Sequence, residues 1–97
     1  MMQTKLDSDA VAGKLKDLTH WTHEQDRIAR EFQAKTARHA LQLIQRIGDL
    51  AEGANHHPEL QWVHRRLRIE LTTHDAGGIT LKDFHLAQCI EGLFSEL

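Results

Sequence analysis

The period of apolar and polar positions changes several times along the chain, and each change marks an element. In "LDSDAVAGKLKDL", Val11, Leu15 and Leu18 recur at helical spacing behind Asp7 or Ser8, either of which can cap a helix. A short helix over about 8–18 is predicted, weakened by Gly13. "HWTHEQDRIAREFQA" reads as a hairpin instead. Trp21 and Thr22 open the first extended run, "EQD" supplies the turn, and Ile28, Phe32 and Ala34 share one face of the second, interrupted by Arg30.

From Thr36 to about Gly53 the period returns to 3.6. Ala37, Ala40, Leu41, Ile44, Ile47 and Ala51 form the apolar stripe, and Gly53 is the expected stop. "NHHP" follows as a loop, because the residue before proline is pushed out of helical geometry. Residues 60–64 read as a short strand with a turn near Arg65–Arg66. Beyond it Leu67, Ile69 and Leu71 alternate with Arg66, Arg68 and Glu70, the period-2 signature of a half-buried strand. "HDAGG" is a glycine-bearing loop. Thr80 then caps a last helix, with Asp83 completing a Thr-x-x-Asp capping box and Leu81, Phe84, Ala87, Ile90 or Leu86, and Leu93 or Phe94 forming its apolar face.

The order α-β-β-α-β-β-α predicts an α+β two-layer sandwich: a four-stranded antiparallel sheet with its helices on one face. The other face, with arginines and histidines, is expected to be open to solvent, ligand or partner. A single domain over 1–97 is expected, with no internal repeat or linker. A chain of this size buries only roughly 60–65% of its unfolded surface, which makes a dimer or tetramer a natural expectation.

Composition narrows the function classes. The net charge of −2 gives no global attraction to nucleic acid or to an anionic membrane. No apolar run approaches a membrane span, and the N-terminal "MMQTKLDSDAVAG" lacks a secretory core, so a cytoplasmic protein is expected. The lone cysteine, Cys89, reads as a small apolar residue on a helix. There is no GxSxG, GxGxxG or P-loop to support a hydrolase elbow or a nucleotide cofactor. The "HRRLR" run reads as a solvated strand face.

Histidine is the unusual feature: eight, against twelve lysines and arginines together. His56 and His57 stand in the loop leaving the longest helix, with Pro58 restricting it, and His74 stands where the long strand meets the glycine loop. Imidazole exchanges protons near neutrality, so such a group can take a proton from one ligand atom and deliver one to a leaving oxygen. Glu52, Asp75 and Asp83 can orient the rings or fix their tautomers. Exposed loop residues and a three-histidine zinc site are the other readings, the second without HExxH, CxxC or HxH to support it.

Taken together, "EGANHHP" and "LTTHDAGGITLKDFHLA" resemble the pterin-4a-carbinolamine dehydratase family, whose members are also known as dimerisation cofactors of a homeodomain transcription factor. The family pattern of an acidic residue, His-His-Pro, an aromatic, His and Asp falls in register on Glu52, His56, His57, Pro58, position 64, His74 and Asp83. The resemblance implies dehydration of 4a-hydroxytetrahydrobiopterin to quinonoid dihydrobiopterin without metal or organic cofactor, by a homodimer or homotetramer acting on a pterin. It implies that His56 and His74 are acid–base residues and that His57 binds and orients the pterin. Asp75 and Asp83 would organise the site, Trp21 would help cover it, and Glu52 and the position-64 residue complete the substrate-binding set. Two positions depart from the pattern: His64 replaces the expected aromatic, with Trp62 two residues before it, and Ala34 replaces the second phenylalanine of Phe-x-Phe. Some dehydratase-like proteins have left pterin chemistry, so the alternative is a binding protein resembling a RuBisCO assembly factor of the α-carboxysome.

Overall fold

A computed structural model describes residues 4–96; Leu97 and the first three residues of the N-terminal stretch read for a leader lie outside the described residues. Helix α1 (Ser8–Leu15) starts where Asp7 Oδ1 accepts the Ala10 N–H at 2.8 Å. It ends earlier than 18, yet Leu18 is still buried, because two further turns carry it inward (Leu18 N–H to Leu15 C=O, Trp21 N–H to Leu18 C=O, both 3.0 Å). Strands β1 (Thr22–Glu24) and β2 (Arg27–Gln33) form the first hairpin around Gln25–Asp26, with Gln25 at φ 55°.

Helix α2 (Ala37–Ala54) is capped by Thr36, whose Oγ1 accepts the His39 N–H at 3.0 Å. It passes through Gly53 and stops at Asn55, which takes the left-handed conformation (φ 52°, ψ 43°). Asparagine tolerates that geometry, and the turn it makes lets the His56 N–H bond back to Ala51 C=O at 3.1 Å. The buried stripe of α2 is Ala40, Leu43, Ile47 and Ala51, whereas Leu41 is 39% exposed. The expected stripe was rotated: at 100° per residue, a face centred on 40, 43 and 47 turns position 41 outward.

Strands β3 (Glu59–Val63) and β4 (Arg66–Leu71) make the second hairpin, with His64 at φ 55° in its turn. The turn thus falls at His64–Arg65, one residue before the expected place, and Val63 pairs with Arg66. All pairings are antiparallel and the sheet order is β1-β2-β4-β3, which puts the long alternating strand in the middle and β3 at an edge. Helix α3 (Leu81–Glu96) follows the glycine loop. The core lies between one sheet face and the helices: Ile28, Leu67, Ile69 and Leu71 meet the α2 stripe and Phe84, Leu86, Ala87, Ile90 and Leu93 of α3. The fold is the expected α+β sandwich, in the expected order.

Arg30 points into this layer. Its guanidinium is ion-paired to both carboxylate oxygens of Glu91 on α3 and lies 4.5 Å from the Phe94 ring centroid, where Phe94 stacks on Phe32 at 4.1 Å. Cys89 is half-buried on the same helix. The uncovered sheet face differs from expectation. Two of its cations are paired, Arg27 with Glu70 (2.6 Å) and Glu59 (3.0 Å) and Arg68 with Glu24 (2.5 Å) and Glu70 (2.8 Å), whereas Arg66 at the start of β4 is exposed. His23, the strand histidine, lies opposite buried Ile28 and therefore belongs to the other face.

Hydrogen bonds from Arg68 and then Arg27 hold the Glu70 carboxyl below the usual glutamate range. A depressed carboxyl stabilises the fold above its unfolded pKa of about 4.3, and the contribution is lost as pH falls through the folded value. Glu70→Gln is therefore expected to shrink the stability difference between neutral pH and about pH 3. Urea midpoints at the two pH values measure this, and an unchanged difference would remove Glu70 from the acid response.

Candidate active site

The left-handed Asn55 ends α2 and turns His56 back toward the start of α3. His56 is 8% exposed, and its Nε2 lies 2.5 Å from Oδ1 of fully buried Asp83. Asp83 is the third residue of α3 and performs the capping-box role: Oδ2 accepts the Thr80 N–H and the Thr73 hydroxyl, each at 2.9 Å. Thr73 has a single hydroxyl proton, so in its 2.8 Å contact with Thr80 the Thr80 hydroxyl donates. With Oδ2 saturated, Oδ1 accepts from His56 Nε2–H, which leaves Nδ1 as the remaining ring nitrogen. The carboxylate also sits in the first turn of a helix, where the macrodipole favours negative charge.

His57 is exposed, and its Nε2 is hydrogen-bonded to Glu52 on the last turn of α2. His74 opens a short 3₁₀ turn (His74–Ala76) directly after β4. Thr73 and Gly78 close this loop by two backbone bonds (2.9 and 3.3 Å), with Gly77 at φ 75°. That left-handed position suits a residue without Cβ. Gly78 is confined differently: a Cβ there would lie 2.9 Å from Cε of Lys5.

His56, His57 and His74 line one cleft of about 250 Å³, with Asp75, Thr73 and Lys82 on its walls. A larger cavity of about 500 Å³ lies beside the N-terminal segment, but its one imidazole, His23, is engaged with the Gln25 carbonyl at 2.8 Å. The convergence of imidazoles, rather than size, marks the 250 Å³ cleft as the candidate site. Glu52 joins it through His57, and Asp83 through His56.

Two of the expected site residues are placed elsewhere within the chain. Trp21 is 3% exposed in the core and donates its indole N–H to Glu91 at 2.7 Å. His64 is at the tip of the β3–β4 hairpin, separated from the cleft by the length of β3, about 17 Å for five residues. Thr73 and Lys82, which sequence reading passed over, belong to the site; their signal was adjacency to His74 and Asp83. Among the described residues no three His, Cys, Asp or Glu side chains are grouped to hold a metal ion.

The family description "Pterin 4 alpha carbinolamine dehydratase" matches residues 4–93. The chain belongs to this family. Relatives include proteins of Roseiflexus sp. (40% identical over 90 residues, covering 93% of this chain and 97% of the relative) and Solibacter usitatus (41% over 92 residues, 95% and 97%), each named "Putative pterin-4-alpha-carbinolamine dehydratase". A solved structure of a transcriptional coactivator/pterin dehydratase from Brucella melitensis superposes with a TM-score of 0.88 at 25% identity, over 92% of this chain and 97% of that one. The sequence resemblance and the dehydratase fold thus agree. No helix among the described residues is long and apolar enough to cross a membrane.

Proposed function

We propose that the protein dehydrates 4a-hydroxytetrahydrobiopterin to quinonoid dihydrobiopterin and water. The observation that carries this reading is the His56–Asp83 pair, which holds one imidazole in a fixed orientation beside His57 and His74 in a single cleft. In the reaction the C4a–O bond breaks, the N5 lone pair forms the C4a=N5 bond, and N5 gives up its proton. One of His56 and His74 protonates the departing hydroxyl and the other takes the N5 proton, so the pair's proton count is restored each turnover. No electron is transferred, and the chemistry calls for no redox cofactor.

The remaining groups divide the work of positioning. Asp83 fixes the His56 ring, and its own bonds to Thr73 and Thr80 prevent it from rotating away. His57, steered by Glu52 and exposed on the rim, binds and orients the pterin, and Asp75 lines the cleft beside His74. The assembly-factor alternative would use the open sheet face and an oligomer surface, and on that face Arg27 and Arg68 are already held by glutamates.

The direct test is stopped-flow absorbance on synthetic 4a-carbinolamine. Acid–base catalysis by positioned imidazoles is expected to accelerate dehydration over the spontaneous rate by at least about 100-fold. A rate equal to the spontaneous one would refute the assignment.

A further inference from the structure

The cations of this chain differ in whether a carboxylate holds them. Arg27, Arg30 and Arg68 each hold glutamate partners. Among the described residues, Lys35, Arg38, Arg65 and Arg66 have no carboxylate within ion-pair distance, and all four are exposed. The fold gathers them at one end of the molecule. The Ala34 N–H donates to Arg65 C=O at 2.8 Å, which ties the hairpin tip to the lead-in of α2, and Arg66 pairs with Gln33 at the end of β2. Lys35 precedes the Thr36 cap of α2 and Arg38 lies in its first turn, which has no acidic residue. The helix dipole adds to their positive field.

A second observation falls on the same place. Trp62 and Val63, 46% and 58% exposed, adjoin the tip, and Trp62 is fixed there by its indole N–H to His64 C=O at 2.6 Å. Ordered, exposed apolar side chains beside unpaired cations are the composition of a contact surface.

We propose that this end of the molecule docks an acidic protein segment that carries apolar residues among its carboxylates. Carboxylates would meet Lys35, Arg38, Arg65 and Arg66, and an apolar side chain would cover Trp62. Charge distribution favours a short segment over nucleic acid. The chain has twelve lysines and arginines against fourteen aspartates and glutamates, so with these four cations set aside the remainder holds eight against fourteen. A long polyanion would run off the patch onto that net negative surface, whereas a locally acidic peptide ends within it.

The test uses the full chain and a fluorescein-labelled twelve-residue peptide of alternating Glu-Glu and Leu-Leu pairs, followed by anisotropy. Binding is expected to weaken markedly from low to physiological salt. Arg65→Glu with Arg66→Glu is expected to lose about 10-fold or more in affinity, and Trp62→Ala about 3-fold. Lys35→Glu with Arg38→Glu gives an independent pair whose new acids suit a helix N-terminus, so folding, checked by circular dichroism, is preserved. Lys14→Glu with Lys16→Glu at the end of α1 should leave binding within about 2-fold. The proposal is overturned if no binding appears, if a Gln/Leu peptide binds equally, if reversing either pair of patch cations changes nothing, or if a twelve-nucleotide oligothymidylate binds more tightly.

Discussion

Replacing His74 with alanine is expected to lower turnover of the 4a-carbinolamine by about 10²–10⁴-fold, the range typical for loss of a positioned acid–base group. His56→Ala should fall as far, because both histidines handle protons in the proposed cycle. The two sites differ in access, and this supplies a finer readout. His74 is exposed, so added imidazole should partly restore the His74→Ala variant; His56 is buried against Asp83, so its variant should respond less. His57→Ala should raise KM more than it lowers kcat, since that ring is assigned to binding. Initial rates across a substrate series measure all three. A His56→Ala/His74→Ala double variant as fast as the unaltered protein would end the histidine mechanism.

Asp83→Ala is expected to be costly for stability as well as for catalysis. It removes the acceptor for three donors: His56 Nε2–H, the Thr73 hydroxyl and the Thr80 N–H. A buried polar group left without its partner costs about 1–3 kcal/mol, so the loss should reach about 3 kcal/mol or more. For a domain of this size that corresponds to a melting temperature lower by roughly 12 °C or more. Asp83→Asn separates the two roles. Its amide oxygen can still accept from Thr73 and Thr80, but its NH₂ would face His56 Nε2 and drive the ring proton to Nδ1. Turnover should then fall about 10²–10⁴-fold with a much smaller shift in melting temperature. Equal losses of stability in the two variants would mean that Asp83 serves the fold alone.

The local rules of the chain were strong enough to set its architecture. Alternation over 66–71 put Leu67, Ile69 and Leu71 inside with no help from the rest of the chain. The Thr80–Asp83 spacing announced the start of α3, and Asp83 Oδ2 does accept the Thr80 N–H. Where those rules failed, a distant partner had decided. Arg30 looked like an error in an apolar strand until Glu91 and Phe94, on a helix some sixty residues later, surrounded its guanidinium. Gly53 looked like the stop of α2, but the helix runs on until Asn55 can turn His56 toward Asp83.

The site divides along the same line. That His56, His57 and His74 were the candidate chemistry was readable from residue type and loop position. Their meeting in one cleft depends on β4 lying inside the sheet next to β3, which brings the exit of α2 beside the exit of β4. Spacing also could not separate cleft residues from others in the same motif. Trp21 and His64 were expected at the site from the resemblance, yet one is tied to Glu91 in the core and the other is carried off to a hairpin tip. By itself the sequence determined periodicity, caps and turns, because these depend on neighbours within a few positions. The tertiary structure decided which imidazole has a buried carboxylate, which cations are neutralised and which aromatic faces solvent, because electrostatic pairing and burial depend on groups that are close in space and far apart in sequence.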